Sequence, residues 1–350
     1  MADRDAAFVG SIPENYDRYL GPLLFHDYAD AMAARVDVRP GVRVLETACG
    51  TGIVTERLVA RLAGHGTLVA SDLNEPMLAY AGAKLRGARR LEWQVADATK
   101  LPFDDRSFDT VVCQFGPMFF PDKAAGVREA FRVLEPGGHF LVSVWDRLED
   151  NPVPRITHET IATFFPSDPP QFYTIPFSLH DPAVVSRLLE GAGFVDVRWE
   201  RLHKTGTSPS AADAATGLIE GNPVYVAIMQ RRAAALADIE ATVARKSRPR
   251  SAITLCAARC APSFSRRNAL GDGPRPPRPA KGDDLIQTSR VRMLISDVRV
   301  RCTGHFCAMT RSCSRCSGLS GPVSVIAVSI RSSLPSFVSH SAQSTAWIFE

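Results

Sequence analysis

The fold of this chain is decided by an apolar run that ends at an acid and enters a glycine-containing loop, Val42-Arg43-Val44-Leu45-Glu46-Thr47-Ala48-Cys49-Gly50-Thr51-Gly52. A strand that turns through such a loop into a helix brings backbone N–H groups close to a small anionic ligand. A second apolar run ends in the carboxylate of Asp72, 20 residues after Gly52. An acid at that place accepts hydrogen bonds from a ribose. The two runs together predict a nucleoside-cofactor site.

Charge at the loop indicates which nucleoside fits. The loop of a dinucleotide fold cradles a pyrophosphate, and a P-loop has a lysine after its last glycine. Here Glu46 precedes the loop and Ile53 follows Gly52. A carboxylate at this position repels a pyrophosphate and attracts an ammonium group, while the loop N–H groups suit a carboxylate. The methionine end of S-adenosylmethionine carries both groups, so S-adenosylmethionine is the expected cofactor and a nicotinamide cofactor is disfavoured.

The chain resembles the class I S-adenosylmethionine-dependent methyltransferases, in particular the quinone-methyltransferase-like branch that acts on small molecules. In that family an acidic-x-G-x-G-x-G motif ends the first strand, and the matching positions here are Glu46, Ala48, Gly50 and Gly52. Ala48 departs from the pattern. Because one methyl group narrows the loop without removing backbone donors, we expect weaker tolerance for close approach and retained binding.

Further motifs follow in the family's order, across roughly two thirds of the chain. The resemblance implies that Asp72 binds the ribose, that Leu73 lies beside the adenine and that Asp97 meets the adenine amino group. The predicted cofactor-binding residues are Glu46, Thr47, Ala48, Cys49, Gly50, Gly52, Asp72, Leu73, Met77, Asp97, Ala98, Gln114, Phe115, Tyr16 and Tyr19.

Several of these residues also have a purely structural interpretation. Asp72 could cap the helix that begins near Glu75-Pro76, because an acid before a proline-led first turn accepts hydrogen bonds from free N–H groups. Asp97 alone is typical of a loop acid, and Phe115 alone is typical of a core residue. Tyr16 and Tyr19 could form a docked helix face instead of a cover over the cofactor.

Hydrophobic patterning predicts an α/β fold with a doubly wound, mostly parallel sheet and ligands at the carboxyl ends of the strands. The resemblance implies that this is the Rossmann-like methyltransferase fold. A later helix near 181–192 and a strand from 195 to 200 complete the series. The predicted strands lie near 42–47, 67–72, 91–96, 108–115 and 139–145, and the predicted helices near 53–63, 75–86 and 122–134.

Composition divides the chain into unlike parts. Residues 247–350 carry 15 basic and 5 acidic residues, a net charge of +10, whereas residues 1–246 carry 26 and 32, a net charge of −6. We expect an N-terminal lid or helical segment over 1–40 and a methyltransferase domain over 41–246, with a cap insertion at about 146–180. The tail over 247–350, rich in Arg, Ser and Cys, is expected to be largely irregular or disordered.

Three interpretations of the tail stay open. Cys302, His305, Cys307, Cys313 and Cys316 could bind zinc, although the spacing lacks two C-x-x-C halves. The arginines could bind nucleic acid, although no aromatic residues are interleaved with them. The tail could also be translated out of frame. The family has an antiparallel seventh strand at this point, which the alternating run over 291–300 could partly replace.

The acceptor is predicted from aromatic residues beyond the fourth strand. Gln114-Phe115-Gly116-Pro117 stands where amide and adenine N-methyltransferases have an Asn/Asp-Pro-Pro-aromatic tetrad, which argues against those substrates. We expect methyl transfer by in-line displacement to a small apolar or aromatic acceptor, with a catalytically inactive binding or regulatory module as the alternative. The expected acceptor tunnel comprises Phe115, Met118, Phe119, Phe120, Phe164, Phe165, Phe172 and Tyr173.

Methyl transfer depends on orientation and exclusion of water, so no triad is expected and no catalytic residue is assigned. His26, His139 and His158 are the candidates for a base, and a structural role is the simpler interpretation of each. The net charge of −6 on residues 1–246 argues against nucleic acid as a partner of the methyltransferase domain. No metal site, membrane span or oligomeric state is indicated, and the acidic N-terminus together with only two cysteines before residue 247 favours a cytoplasmic location.

Overall fold

A computed structural model describes residues 8–195 and 197–247 and the backbone of residues 290–302. Within these residues the strands form one sheet in the order β3-β2-β1-β4-β5-β7-β6. Each pair of neighbouring strands is parallel. The strands are β1 (Val42–Thr47), β2 (Gly66–Asp72), β3 (Leu91–Val95), β4 (Phe108–Gln114), β5 (Leu134–Trp145), β6 (Arg198–Ser208) and β7 (Arg290–Cys302).

Helices connect β1 to β2, β2 to β3 and β4 to β5, whereas a loop joins β3 to β4, and this parallel arrangement confirms the doubly wound fold. The strand order reverses between β1 and β4, and ligands bind at such a switch point in open α/β sheets. The α-helices are α1 (Ile12–Asn15), α2 (His26–Ala34), α3 (Ile53–Leu62), α4 (Glu75–Lys84), α5 (Lys123–Val133), α6 (Pro152–Phe164), α7 (Pro182–Gly191), α8 (Ala211–Glu220), α9 (Val224–Arg232) and α10 (Leu236–Ser247).

The central strands are apolar because both faces of the sheet are covered. Val44 and Leu45 of β1 and Val111 and Val112 of β4 are completely buried. The Asp181 side chain accepts a hydrogen bond from the Ala183 N–H at 2.8 Å, which confirms the predicted start of α7. Sequence periodicity therefore places the core strands and this helix correctly.

The beginning of β5 differs from the prediction, which placed this strand near 139–145, after the turn that contains Pro136 and Gly137. Phe108 pairs with Leu134, but the next paired residues are Thr110 and His139, so the β5 chain bulges between them. Gly137, within the bulge, has a φ of 81°. Because pairing resumes after the bulge, the turn is an irregularity inside β5 and not its boundary.

The far edge of the sheet also differs from the prediction. The strand predicted over 195–200 is longer and begins at Arg198. Between β5 and β6 lies β7, which is parallel to both, whereas the resemblance implied an antiparallel strand. A strand joined to β6 by a tight hairpin must be antiparallel, but β7 follows α8, α9, α10 and residues 248–289, so hairpin geometry does not constrain it. The run over 291–300 thus takes the place proposed for it, in parallel orientation.

The other interpretations of the tail lie outside the described residues. This applies to the candidate zinc ligands, of which only the backbone of Cys302 is described, to the possible nucleic-acid contacts and to the out-of-frame interpretation of the tail. Within the described part of the chain, no helix combines the length and apolar character that crossing a bilayer requires.

The N-terminal segment is helical and docked. A π-helix over Tyr16–Phe25 joins α1 to α2 and contains Pro22, which has no N–H to donate. Leu20 and Leu23 of this π-helix are completely buried. π-Helical segments are rare and often occur at functional sites. The first and last residues of this π-helix, Tyr16 and Phe25, lie near the carboxyl ends of β4 and β5.

Candidate functional site

The loop between β1 and α3 is held against the end of β2 by one carboxylate. The Gly50 N–H donates to Asp72 Oδ2 at 2.8 Å, and the Asn74 N–H donates to Asp72 Oδ1 at 2.7 Å. The Cys49 N–H donates to the Ser71 carbonyl at 3.0 Å. Asp72 therefore joins the two loops, and Asn74, not Asp72, is the N-terminal flanking residue of α4.

The same loop uses backbone conformations that favour glycine. The φ angles of Ala48, Gly50 and Gly52 are 52°, 55° and 75°. Ala48 is the position at which this chain departs from the family motif, and it adopts the left-handed conformation despite its side chain. A left-handed residue other than glycine is destabilised by about 1–2 kcal/mol. A Cβ placed on Gly116 would lie 2.6 Å from the Ala48 Cβ, so the Ala48 methyl group faces close backbone.

The largest cavity at this edge, here called the outer cavity, opens to solvent and has a volume of about 750 Å³. Asp97, which follows β3, is fixed in its wall because its Oδ1 accepts from the Thr99 N–H at 2.8 Å and from the Thr99 hydroxyl at 2.7 Å. The predicted cofactor-binding residues that line the outer cavity are Tyr16, Ala48, Gly50, Asp72, Leu73, Met77, Asp97, Ala98, Gln114 and Phe115.

A smaller space of about 320 Å³, here called the loop cavity, lies against the β1 to α3 loop and is lined by Glu46 and Cys49. Glu46 is only 2% exposed, and burial raises its pKa to about 8. Burial likewise raises the pKa of Asp72. Among the described residues, Glu46 Oε2, Thr51 Oγ1 and Gln114 Oε1 are buried without a hydrogen-bond partner. Buried polar atoms are normally paired, so these three atoms indicate a place for a polar ligand.

A third space of about 510 Å³, here called the aromatic pocket, lies on the other side of the fourth strand's end. Phe119 is stacked with Phe172 at a centroid distance of 6.3 Å, and Phe172 meets Tyr173 edge to face at 5.5 Å. The residues that line the aromatic pocket are Phe8, Tyr16, Leu24, Phe25, Phe115, Phe119, Trp145, Pro154, Phe172, Tyr173, Pro176, Phe177 and Asn222.

Tyr16 and Phe115 line all three spaces. Phe115 has a φ of 53°, and its ring lies parallel to Trp145 at 3.9 Å with an interplanar angle of 5°. Tyr16 stacks on Phe25 at 4.8 Å. These two rings therefore mark the point at which the outer cavity, the loop cavity and the aromatic pocket meet.

Some predicted residues lie elsewhere. Thr47 is buried behind the loop and Gly52 packs at α4, where a Cβ would meet Ala81 at 3.1 Å. Tyr19 lies against Gly217 of α8, and neither it nor Thr47 nor Gly52 lines the three spaces. Of the expected acceptor tunnel, Met118, Phe164 and Phe165 pack into the core instead.

The three histidines considered as bases do not face these spaces. His26 packs on Gly21, His158 lies on Tyr173 with ring centroids 6.4 Å apart, and His139 lies at the opposite end of the sheet. Conversely, sequence reasoning missed Phe8, Phe25, Trp145, Phe177 and Asn222. Of these five residues, only Trp145 had a local signal in the sequence, because it ends a predicted strand.

Comparisons with known proteins identify related methyltransferases. Residues 44–138 match the family model described as a methyltransferase domain. The chain is 31% identical over 181 residues to the ubiquinone/menaquinone biosynthesis C-methyltransferase UbiE of Idiomarina loihiensis, covering 47% of this chain and 71% of that protein. It is 34% identical to the demethylmenaquinone methyltransferase of Mycolicibacterium gilvum, covering 48% of this chain and 74% of that protein.

The chain belongs to the class I S-adenosylmethionine-dependent methyltransferases of the quinone-methyltransferase type. It is a methyltransferase whose methyl donor is S-adenosylmethionine, which confirms the expected enzyme class and cofactor. Among solved structures, a SAM dependent methyltransferase from Aquifex aeolicus is similar with 20% identity and a TM-score of 0.40, over 56% of this chain and 92% of that chain. Within the described residues, no cluster of His, Cys, Asp and Glu in this methyltransferase could hold a metal ion.

Proposed function

We propose that this methyltransferase transfers the methyl group to a small, apolar and aromatic acceptor held in the aromatic pocket. The observation that carries the proposal is the meeting of three spaces at Tyr16 and Phe115. Aromatic rings line the aromatic pocket, buried unpaired polar atoms line the loop cavity, and Asp72 and Asp97 line the outer cavity. A donor with three chemically different parts and an apolar acceptor match this division.

The residues fit S-adenosylmethionine in its three parts. Glu46 Oε2 and Gln114 Oε1, both buried without partners among the described residues, would accept hydrogen bonds from the ammonium group in the loop cavity. Asp72 and Asp97 in the outer cavity would bind the ribose and the adenine edge. The sulfonium would then lie between Tyr16 and Phe115, where aromatic faces attract a cation.

The proposed chemistry needs orientation more than acid–base groups. The donor supplies an electrophilic methyl group, and the protein aligns the acceptor behind the methyl carbon and excludes water. The stacked pair of Phe115 and Trp145 gives the junction a rigid wall. Tyr173 is held from the far side because its hydroxyl donates to the Leu218 carbonyl at 2.5 Å. The relatives named above for ubiquinone, menaquinone and demethylmenaquinone support an acceptor that resembles a quinone precursor.

The proposal is tested by separating donor binding from acceptor binding. Phe172→Leu removes a ring from the aromatic pocket, and Phe131→Leu removes a ring that packs on Phe194, outside the site. With phenol and hydroquinone acceptors, we expect Phe172→Leu to raise the acceptor KM about tenfold, consistent with the loss of about 1–1.5 kcal/mol of aromatic contact. Calorimetry with S-adenosylmethionine should show an unchanged Kd for both variants. An unchanged acceptor KM in Phe172→Leu would place the acceptor elsewhere.

A further inference from the structure

The described lining of the aromatic pocket is apolar apart from a few uncharged polar groups. Among the described residues that line it, Asp, Glu, His, Lys, Arg and Cys are absent, and the polar side chains are Tyr16, Tyr173 and Asn222. Burial raises the pKa of both tyrosines, so both hydroxyls stay protonated. The Tyr173 hydroxyl and the Asn222 Nδ2 both donate to the Leu218 carbonyl, at 2.5 and 3.0 Å. None of these groups can remove a proton from the acceptor.

The carboxylates of the neighbouring spaces are also not placed to act as bases. Asp72 is occupied by the Gly50 and Asn74 N–H groups and lines the outer cavity, as Asp97 does. Glu46 lines the loop cavity on the donor side. Tyr16 and Phe115 lie at the junction of the three spaces. None of the three acids lines the aromatic pocket.

We propose that the acceptor is a weakly acidic phenol or enol that reacts as its preformed anion, with the donor's sulfonium as the counter-charge that the described lining of the aromatic pocket does not supply. This inference rests on the proposed function, because it assumes that the acceptor lies in that pocket. In the transfer, a lone pair or ring-carbon π pair of the anion forms the new bond to the methyl carbon. The bond between sulfur and that carbon breaks, and its electron pair stays on sulfur. The two charges cancel and no proton moves in this step.

When the nucleophilic atom is a ring carbon, the hydrogen on that carbon leaves afterwards as a proton taken up by water. Nothing further is oxidised or reduced. The enzyme's contribution is therefore to desolvate the anion and align it, which strengthens the attraction between the opposite charges at the junction of the three spaces.

Binding order follows from the same electrostatics. An anion in an apolar pocket without a counter-charge is strongly destabilised, so a phenol that binds without the sulfonium takes up or retains its proton. With the sulfonium present, the ionised form is favoured. Donor must therefore bind before the anionic acceptor. The product S-adenosylhomocysteine, whose sulfur is uncharged, cannot replace the donor in stabilising the anion.

The first test reads the ionisation state of a bound phenol directly. Nitrophenols absorb at longer wavelength when ionised, so 4-nitrophenol and a more acidic dichlorinated analogue serve as probes with the full chain. In rapid mixing with the S-adenosylmethionine complex, before turnover, we expect the phenolate band and binding at least tenfold tighter than with the S-adenosylhomocysteine complex. With S-adenosylhomocysteine the bound phenol should be neutral. A neutral bound phenol in both complexes would overturn the inference.

The second test is the pH dependence of kcat/KM for each acceptor, measured at saturating S-adenosylmethionine. We expect kcat/KM to rise tenfold per pH unit below the pKa of the acceptor and to level off above it, so the onset moves with the acceptor. An onset at one fixed pH for both acceptors would indicate a base on the protein and contradict the inference. Absence of phenol binding in either complex would instead contradict the proposed function, so the two failures are distinguishable.

Discussion

The two ends of the parallel sheet carry clefts of opposite character. At the amino end, a cleft of about 820 Å³ is lined mainly by polar residues. Asp109 in this cleft accepts hydrogen bonds from the Arg39 guanidinium and, at 2.8 Å, from the Arg43 N–H. His139 Nε2 lies 3.7 Å from Asp37 Oδ2. At the amino end, these charged groups have protein partners.

At the carboxyl end, the outer cavity of about 750 Å³ adjoins aromatic walls and unpaired polar atoms such as Glu46 Oε2. The unpaired atoms distinguish the two clefts. Leaving a buried polar atom without a partner destabilises a protein by about 1–3 kcal/mol, so such an atom is suited to a ligand that completes it. The described residues also hold unpaired atoms elsewhere, including Thr160 Oγ1 and Glu240 Oε1, so it is the clustering of Glu46, Thr51 and Gln114 beside the loop cavity that sets the carboxyl end apart.

The largest expected effect comes from removing the charge at the unpaired end. Glu46→Gln keeps the shape of the side chain but removes its negative charge, so it cannot form an ion pair with an ammonium group. Loss of one partner from a buried ion pair weakens binding by about 3 kcal/mol, or roughly 150-fold in Kd. Calorimetry with S-adenosylmethionine measures this change. Glu135→Gln, the same substitution in the amino-end cleft, is the matched control and should leave the Kd unchanged. Equal Kd values for both variants would remove the distinction between the two ends.

A somewhat smaller effect is expected at Asp72, which has a counterpart at the other end. Asp72→Asn replaces one carboxylate oxygen with an NH2 group. The side chain can then no longer accept hydrogen bonds from both the Gly50 and the Asn74 N–H groups, and it binds the ribose less well. Hydrogen bonds to charged groups contribute about 1.5–3 kcal/mol, so we expect Kd for S-adenosylmethionine to rise roughly 30-fold. Asp109→Asn also loses an acceptor for a backbone N–H, but it should lower the melting temperature and leave Kd unaltered. A reversed pattern would assign ligand binding to the amino end.

The framework of this comparison was predictable because it depends on local signals. β1 and β2 are mainly apolar strands with an acid at or next to the last residue, and a parallel sheet places such ends at one edge. Glu46 and Asp72 were therefore predictable from position in the chain alone. The helices over 211–247 and the parallel orientation of β7 were not predicted, since both depend on which distant segments pack together.

The aromatic pocket was only partly predictable for the same reason. Phe172 and Tyr173 were expected from composition, but Phe8 and Phe177 come from segments far apart in the chain. Phe164 and Phe165 were expected in the pocket and instead pack into the core. Aromatic residues are suited to either environment, so only tertiary structure decides which of them line a cavity.

A third effect concerns pH and separates the buried acid from the exposed ones. Burial raises the pKa of Glu46 to about 8, so in the free protein this group is protonated below that pH. An ammonium ligand requires the carboxylate, and S-adenosylmethionine affinity should therefore rise with pH between 6 and 8, up to about tenfold per unit.

The stability of the free protein should change with pH in the opposite direction to the affinity. The folded state holds the Glu46 proton more tightly than the unfolded state, so this group's contribution to stability is present at low pH and is lost as pH rises toward 8. Calorimetry and thermal melts between pH 6 and 8 check both trends, with Glu46→Gln as the variant in which both should flatten. An affinity that is independent of pH in the unsubstituted protein would contradict the assignment.

The smallest effect tests the backbone strain in the loop. Ala48→Gly restores the family motif at a residue with a φ of 52°, and Ala63→Gly makes the same change at a φ of 46° beyond α3. Relief of left-handed strain, less the added flexibility of glycine in the unfolded chain, should stabilise each variant by about 0.5–1 kcal/mol. Only Ala48→Gly changes the wall of the outer cavity and the loop cavity, so it alone should tighten S-adenosylmethionine binding, by about two- to fivefold. Thermal melts and calorimetry on both variants measure the two quantities. If Ala63→Gly tightened binding equally, the gain would come from general stability of the fold and not from the loop that faces the donor.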